Sequence, residues 1–110
     1  MPNSTVEELT VNFQDENGLL LCKEVAKEVL TKGTWATIVF KYQDLDKVTG
    51  LYKLPKYSIR RYQKRGGDYR VMSKFTISSP AQATKICAIL NQWILQDVAN
   101  GEVAEVEEKD

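Results

Sequence analysis

The chain has 110 residues, enough for one domain with a single core. Charged residues make up 27% and hydrophobic ones 43%, the balance of a globular protein rather than a disordered one. There is no histidine, and the two cysteines, Cys22 and Cys87, lie far apart, so the usual general acid/base is missing and no paired-cysteine zinc site can be built.

Residues 1–5 form a polar lead-in. Residues 6–13 read VEELTVNF, where Leu9, Val11 and Phe13 alternate with polar neighbours and predict a half-buried strand. Asp15-Glu16-Asn17-Gly18 predicts a turn. Residues 19–30 fit two readings. Strand throughout, interrupted by a bulge, is the favoured one; a helix over 22–30 also suits the Glu and Lys spacing. Thr31-Lys32-Gly33 is a break. Residues 34–45, TWATIVFKYQDL, are rich in β-branched and aromatic side chains and predict a strand. Thr34, Ala36, Ile38, Phe40 and Tyr42 make its core face.

After a loop from Asp46 to Pro55, residues 56–65 predict a further strand. Tyr57, Ile59 and Arg61 alternate with Lys56, Ser58, Arg60, Tyr62 and Lys64, which suggests a core face and a basic face. Gly66-Gly67 suits a two-residue hairpin turn. The return strand, 69–78, places Arg70, Met72, Lys74 and Thr76 opposite Tyr69, Val71, Ser73, Phe75 and Ile77. Ser79-Pro80 predicts a helix start, and the helix runs to about Val98. Ala83, Ile86, Cys87, Leu90, Trp93 and Ile94 give a core stripe that Ile89 and Leu95 widen beyond what one thin sheet covers. On that stripe Cys87 reads as a buried thiol. Residues 101–110 form an acidic tail expected to be disordered, which leaves residues 6–100 as one α+β domain.

The net charge of zero conceals a split. Residues 41–74 hold ten basic and three acidic residues, a net +7, so the remainder carries −7. Such asymmetry points to a surface for a polyanion. The candidate contacts are Lys41, Lys56, Arg60, Tyr62, Lys64, Arg65, Arg70 and Lys74, with Trp35 or Tyr42 nearby. Single strands need this mixture of cations for phosphates and rings for bases. Nothing supplies a nucleophile with its base, a phosphate-cradling loop or a metal set, so the expectation is no catalysis, no cofactor and no metal. No apolar run approaches the roughly 18 residues of a membrane span, and 1–4 do not open a signal peptide. The expected location is cytoplasmic, nucleoid-associated if bacterial, with no membrane contact.

Residues 56–92 resemble the single-stranded DNA-binding domain of the positive cofactor four family of transcriptional coactivators. The residues that carry the likeness are Tyr57-Ser58-Ile59-Arg60-Arg61-Tyr62, then Gly66-Gly67, then 70–74, then Ile77-Ser78-Ser79-Pro80-Ala81-Gln82. Gln63 stands where the family can place an aromatic stacker. The resemblance implies a curved antiparallel sheet of about four strands followed by one C-terminal helix. It implies a homodimer paired through that helix, with Ile86, Ile89, Leu90 and Trp93 in the interface, and single-stranded DNA or RNA across the sheets. The alternative is a protein-interaction module whose basic sheet face docks an acidic partner.

Overall fold

The computed structural model describes residues 4–101. Five antiparallel strands stand in chain order: β1 (Phe13–Gln14), β2 (Leu20–Thr31), β3 (Trp35–Asp44), β4 (Lys56–Arg65) and β5 (Asp68–Ile77). The sheet curls into a half-barrel, and one helix, α1 (Pro80–Ala99), follows it. The fold is therefore α+β, with a C-terminal helix, as the sequence implied. The short β1 adds a fifth strand.

The alternation in β3 decides which face is inner. Ala36, Ile38, Phe40 and Tyr42 are buried, while the residues between them are half-buried. Cross-strand neighbours share a face. Register then places Val29 and Lys27 of β2, and Tyr62, Arg60 and Ser58 of β4, on the inner face beside Ala36, Ile38 and Phe40. This reverses the expected faces of β4. Ser58 and Tyr62 are buried, whereas Ile59 is exposed on the outer face.

The inner face is covered by residues 4–12, and here the expected strand over 6–13 is not formed. Val6–Glu8 is a short 3-10 turn, and only Phe13 pairs in β1. Glu8 drives the difference. Its Oε1 accepts from the Ser4 and Thr5 backbone N–H groups, at 2.9 and 3.0 Å, and closes a capping box on Thr5. Val6, Leu9 and Val11 are buried and join the β3 core, while Phe13 faces solvent. The alternating apolar pattern was real, but it serves a strap laid over a sheet. Lys27 pins that strap: its Nζ donates to the Val6 and Leu9 carbonyls at 2.6 and 2.7 Å, above the Phe40 ring.

Residues 19–30 are strand, with register shifts between Glu24 and Ala26 and between Val29 and Thr31. The first shift explains the mixed alternation of this segment. Glu24 is inner before it and Lys27 is inner after it, so Val25 absorbs the extra residue. The turn at 15–18 forms around Asp15, whose Oδ1 accepts from Asn17 and Leu19 N–H. Gly66 and Gly67 both hold positive φ, 58° and 87°, and close the two-residue β4–β5 hairpin.

Ser79 caps α1, its Oγ accepting from the Gln82 N–H at 3.1 Å, with Pro80 in the first turn. The helix meets the sheet mainly at β5, where Ile77 is buried and Ala83 and Ile86 are half-buried. Beyond that point Ile89, Leu90, Trp93, Ile94, Leu95 and Val98 are 45–69% exposed. Cys87 is exposed as well, a correction to the buried thiol expected on the stripe, and Cys22 is half-buried; both are free. Among the described residues, the helix packs mainly on β5, and the rest of the stripe is left to solvent. The molecule is a slab of 55 × 38 × 17 Å. The acidic tail from residue 102 and residues 1–3 of the lead-in lie outside the described residues.

Candidate nucleic-acid interface

The β4–β5 hairpin carries seven cations, Lys56, Arg60, Arg61, Lys64, Arg65, Arg70 and Lys74, against one acid, Asp68. A bulge decides where they point. Register shifts between Arg61 and Tyr62, so that Arg61 faces Ser73 while Tyr62 faces Val71, and Met72 is the extra residue. Strict alternation would put Arg70, Met72, Lys74 and Thr76 on one face. The bulge instead leaves Arg70 outer and Lys74 inner.

On the inner face Arg60 and Lys74 stand opposite each other across β4 and β5. Arg60 Nε donates to Ser58 Oγ at 3.2 Å, and its guanidinium lies 5.9 Å from the Phe40 ring centre. Lys74 is exposed. Tyr62, expected among the stacking residues, is 3% exposed and belongs to the core. Burial pushes its hydroxyl up in pKa, with Arg60 opposing. Tyr42 is buried likewise. Lys56 is committed to Asp44 at 2.9 Å, and accepting that hydrogen bond lets the carboxylate hold the ammonium pKa up. Lys64 lies over the Tyr69 ring, whose hydroxyl donates to the Gly33 carbonyl. Arg65, at the hairpin tip, donates from Nε to Gln63 Oε1 at 2.8 Å.

The outer face runs in four cross-strand rows. Trp35–Gln63–Arg70 lies nearest the hairpin turn, and Thr37–Arg61–Ser73 follows. Then come Val39–Ile59–Phe75 and Lys41–Tyr57–Ile77, at the end where α1 begins. The face therefore grades from polar, cationic and aromatic to apolar. Arg61 packs its guanidinium 4.5 Å from the Trp35 ring centre. Neither Arg61 nor the Trp35 pairing stood out in the sequence, since both depend on the β3–β4 register. Lys41 lies in the last row, far from Arg60 along the strands.

The structure thus divides the eight expected contacts. Arg60 and Lys74 come together, Arg70 stands on the other face, Lys41 is apart, Lys56 is ion-paired, Tyr62 is inside, and Lys64 and Arg65 sit at the hairpin tip against Tyr69 and Gln63. Among the described residues, no group of three Cys, Asp or Glu side chains could hold a metal ion. Again among those residues, no helix is long and apolar enough to cross a membrane. Comparison with protein-family models, curated proteins and solved structures gave no match.

Proposed function

We propose that the protein is a non-catalytic binder of single-stranded nucleic acid that works as a homodimer paired through α1. The observation that carries the reading is the hairpin: seven cations and one acid on two ten-residue strands, open to solvent along β5. A basic sheet with an open face suits splayed single strands better than duplex grooves. The dimer accounts for the bare apolar side of α1. Ile89, Leu90 and Trp93 lie on it, while Ile86 is half-buried nearer β5. The resemblance to the positive cofactor four family points the same way.

The test is fluorescence anisotropy of labelled single-stranded and duplex oligonucleotides at two salt concentrations. The expected result is preference for the single strand, with a salt slope of about −0.7 per phosphate neutralised. Arg60→Ala and Lys74→Ala weaken binding without unfolding the domain. Absence of binding at about 0.15 M salt, where charges beyond a Debye length are screened, refutes the reading.

A second reading, a module that docks an acidic protein on the basic hairpin, is favoured by one observation. The loop after β3 presents Val48, Leu51 and Leu54 largely exposed. It is held rigid by Asp46, whose Oδ1 accepts from the Val48 and Thr49 N–H groups at 2.9 and 3.3 Å. Under that reading affinity capture returns a protein, and loss of Leu51 and Leu54 abolishes the capture.

A further inference from the structure

Stacking needs a ring that a base can reach, and the inner face offers none near Arg60 and Lys74; the exposed Phe13 lies at the opposite edge of the sheet, on β1. Phe40, Tyr42, Tyr62 and Tyr69 are all buried there. Arg60 and Lys74 can meet phosphates, but no exposed aromatic face accompanies them. On the outer face the situation differs. Trp35 is half-buried in the row nearest the hairpin turn, with Gln63 and exposed Arg70 as successive cross-strand neighbours. The next row adds Thr37, Arg61 and Ser73. All six residues are aromatic, cationic or hydrogen-bonding, and none is acidic. The acids nearest in register are Asp68, opposite Arg65 at the tip, and Glu28, beside Val39 on β2.

We propose, resting on the single-strand reading, that a nucleobase stacks on the Trp35–Arg61 pair of the outer face. Two features make the pair suited to this. The guanidinium at 4.5 Å from the indole centre restrains the ring. Its own plane is a second surface on which a base can lie. Arg70 stands in Trp35's own row, two strands away, to take the adjoining phosphate, and Gln63, whose Oε1 accepts from Arg65 Nε, has amide N–H groups to offer a base edge. The site lies at the hairpin end of the outer face, opposite the end where α1 begins. The exposed Phe75 is not the platform. It sits in the apolar row Val39–Ile59–Phe75, and the residue opposite it on β4 is Ile59 rather than a cation.

The test uses the only other tryptophan, Trp93, as the position to silence. In a Trp93→Phe background, shown to keep the parent's oligomeric state, Trp35 is the sole indole. The probe is an oligothymidylate of roughly 12 nucleotides, within the usual span of such sites. Anisotropy of the labelled strand reports binding, and emission of Trp35 with the unlabelled strand reports stacking. The expected result is quenching that saturates with the anisotropy curve. In the parent chain, Trp35→Ala loses affinity about 5- to 150-fold, the range for one stacked base, while Trp35→Phe retains most of it. Binding that leaves Trp35 emission unchanged, or that survives Trp35→Ala intact, overturns the stacking site and leaves the single-strand reading standing. No rise in anisotropy overturns both.

Discussion

The strap over the inner face supplies three of the nine residues of the core cluster, and Leu9→Ala tests that part of the core directly. Leu9 is 3% exposed and packs with Val6 and Val11 over the β3 face of Ile38 and Phe40. Leu→Ala in a core costs about 2–5 kcal/mol, the spread reflecting how far the site can collapse. Collapse is limited here, because Lys27 holds the carbonyls of both Val6 and Leu9. The cavity therefore persists, and the expected loss is about 3 kcal/mol, a large share of a small domain's stability. With a urea m-value near ~1.5 kcal/mol/M this moves the unfolding midpoint by roughly 2 M. The assay is equilibrium urea unfolding followed by circular dichroism at one fixed protein concentration, since association would otherwise enter the midpoint. Leu54→Ala is the control. Leu54 is 78% exposed, so its truncation stays within about 0.5 kcal/mol. If Leu9→Ala and Leu54→Ala unfold at the same midpoint, residues 4–12 are not part of the core and the inner face is free.

Three further outcomes follow from the same packing. Trp93→Glu puts a charge on the bare side of α1, so sedimentation should turn a dimer into a monomer of unchanged secondary structure; a wild-type chain that sediments as a monomer at all concentrations defeats the pairing. Lys27→Met keeps the apolar stem but leaves the Val6 and Leu9 carbonyls without their charged donor, and thermal unfolding should register a loss of about 1.5–3 kcal/mol. Glu8 is held below its ordinary pKa, first by the Ser4 hydroxyl and then by the Thr5 backbone, and Glu7 by its own backbone N–H and then by Lys32. A lowered folded pKa means that their contribution is full above the ordinary carboxylate value of 4.5 and is lost as pH falls through the lowered values. Protection factors at residues 4–9, taken relative to the intrinsic exchange rate at each pH, should therefore fall on acidification below that point while β3 amides stay protected; equal protection across the range would contradict the capping role.

Much of the fold was legible because β3 carries an uninterrupted two-residue period, and the Gly66-Gly67 and Ser79-Pro80 signals mark a turn and a helix start with local chemistry. Within the sheet the failures have one physical source, which is register. A bulge is a single unpaired residue, and the sequence around Met72 bears no mark of it. Yet that residue sends Arg70 and Lys74 to opposite faces. The reversed faces of β4 have the same origin. Lys56, Ser58, Arg60 and Tyr62 look like a solvent face by composition, but Ser58 and Tyr62 lie beside Phe40 and Ala36 and are buried with them. The strap was misread as a strand because a covering segment needs only apolar side chains at alternating positions, not a ladder. Only the capping box of Ser4, Thr5 and Glu8 distinguishes the two, and that motif was present in the sequence.

The placement of the core explains why the basic surface is divided. A sheet covered on one side by a thin strap must bury its aromatic rings under that strap, since residues 4–12 supply only Val6, Leu9 and Val11 as large apolar groups. Tyr42, Tyr62 and Tyr69 fill what remains, so the rings of the inner face are spent on stability. Cations at the open edge of that face, Arg60 and Lys74, are left to act on charge alone. Among the described residues no strap covers the outer face, and its hairpin end lies opposite the end where α1 begins. Trp35 stays accessible there only because Arg61, rather than another apolar side chain, is its covering neighbour. Replacing Arg61 with leucine would keep the indole covered while removing the cation. The outer patch would then resemble the apolar row beside it, and the grading of the outer face from cationic to apolar would disappear.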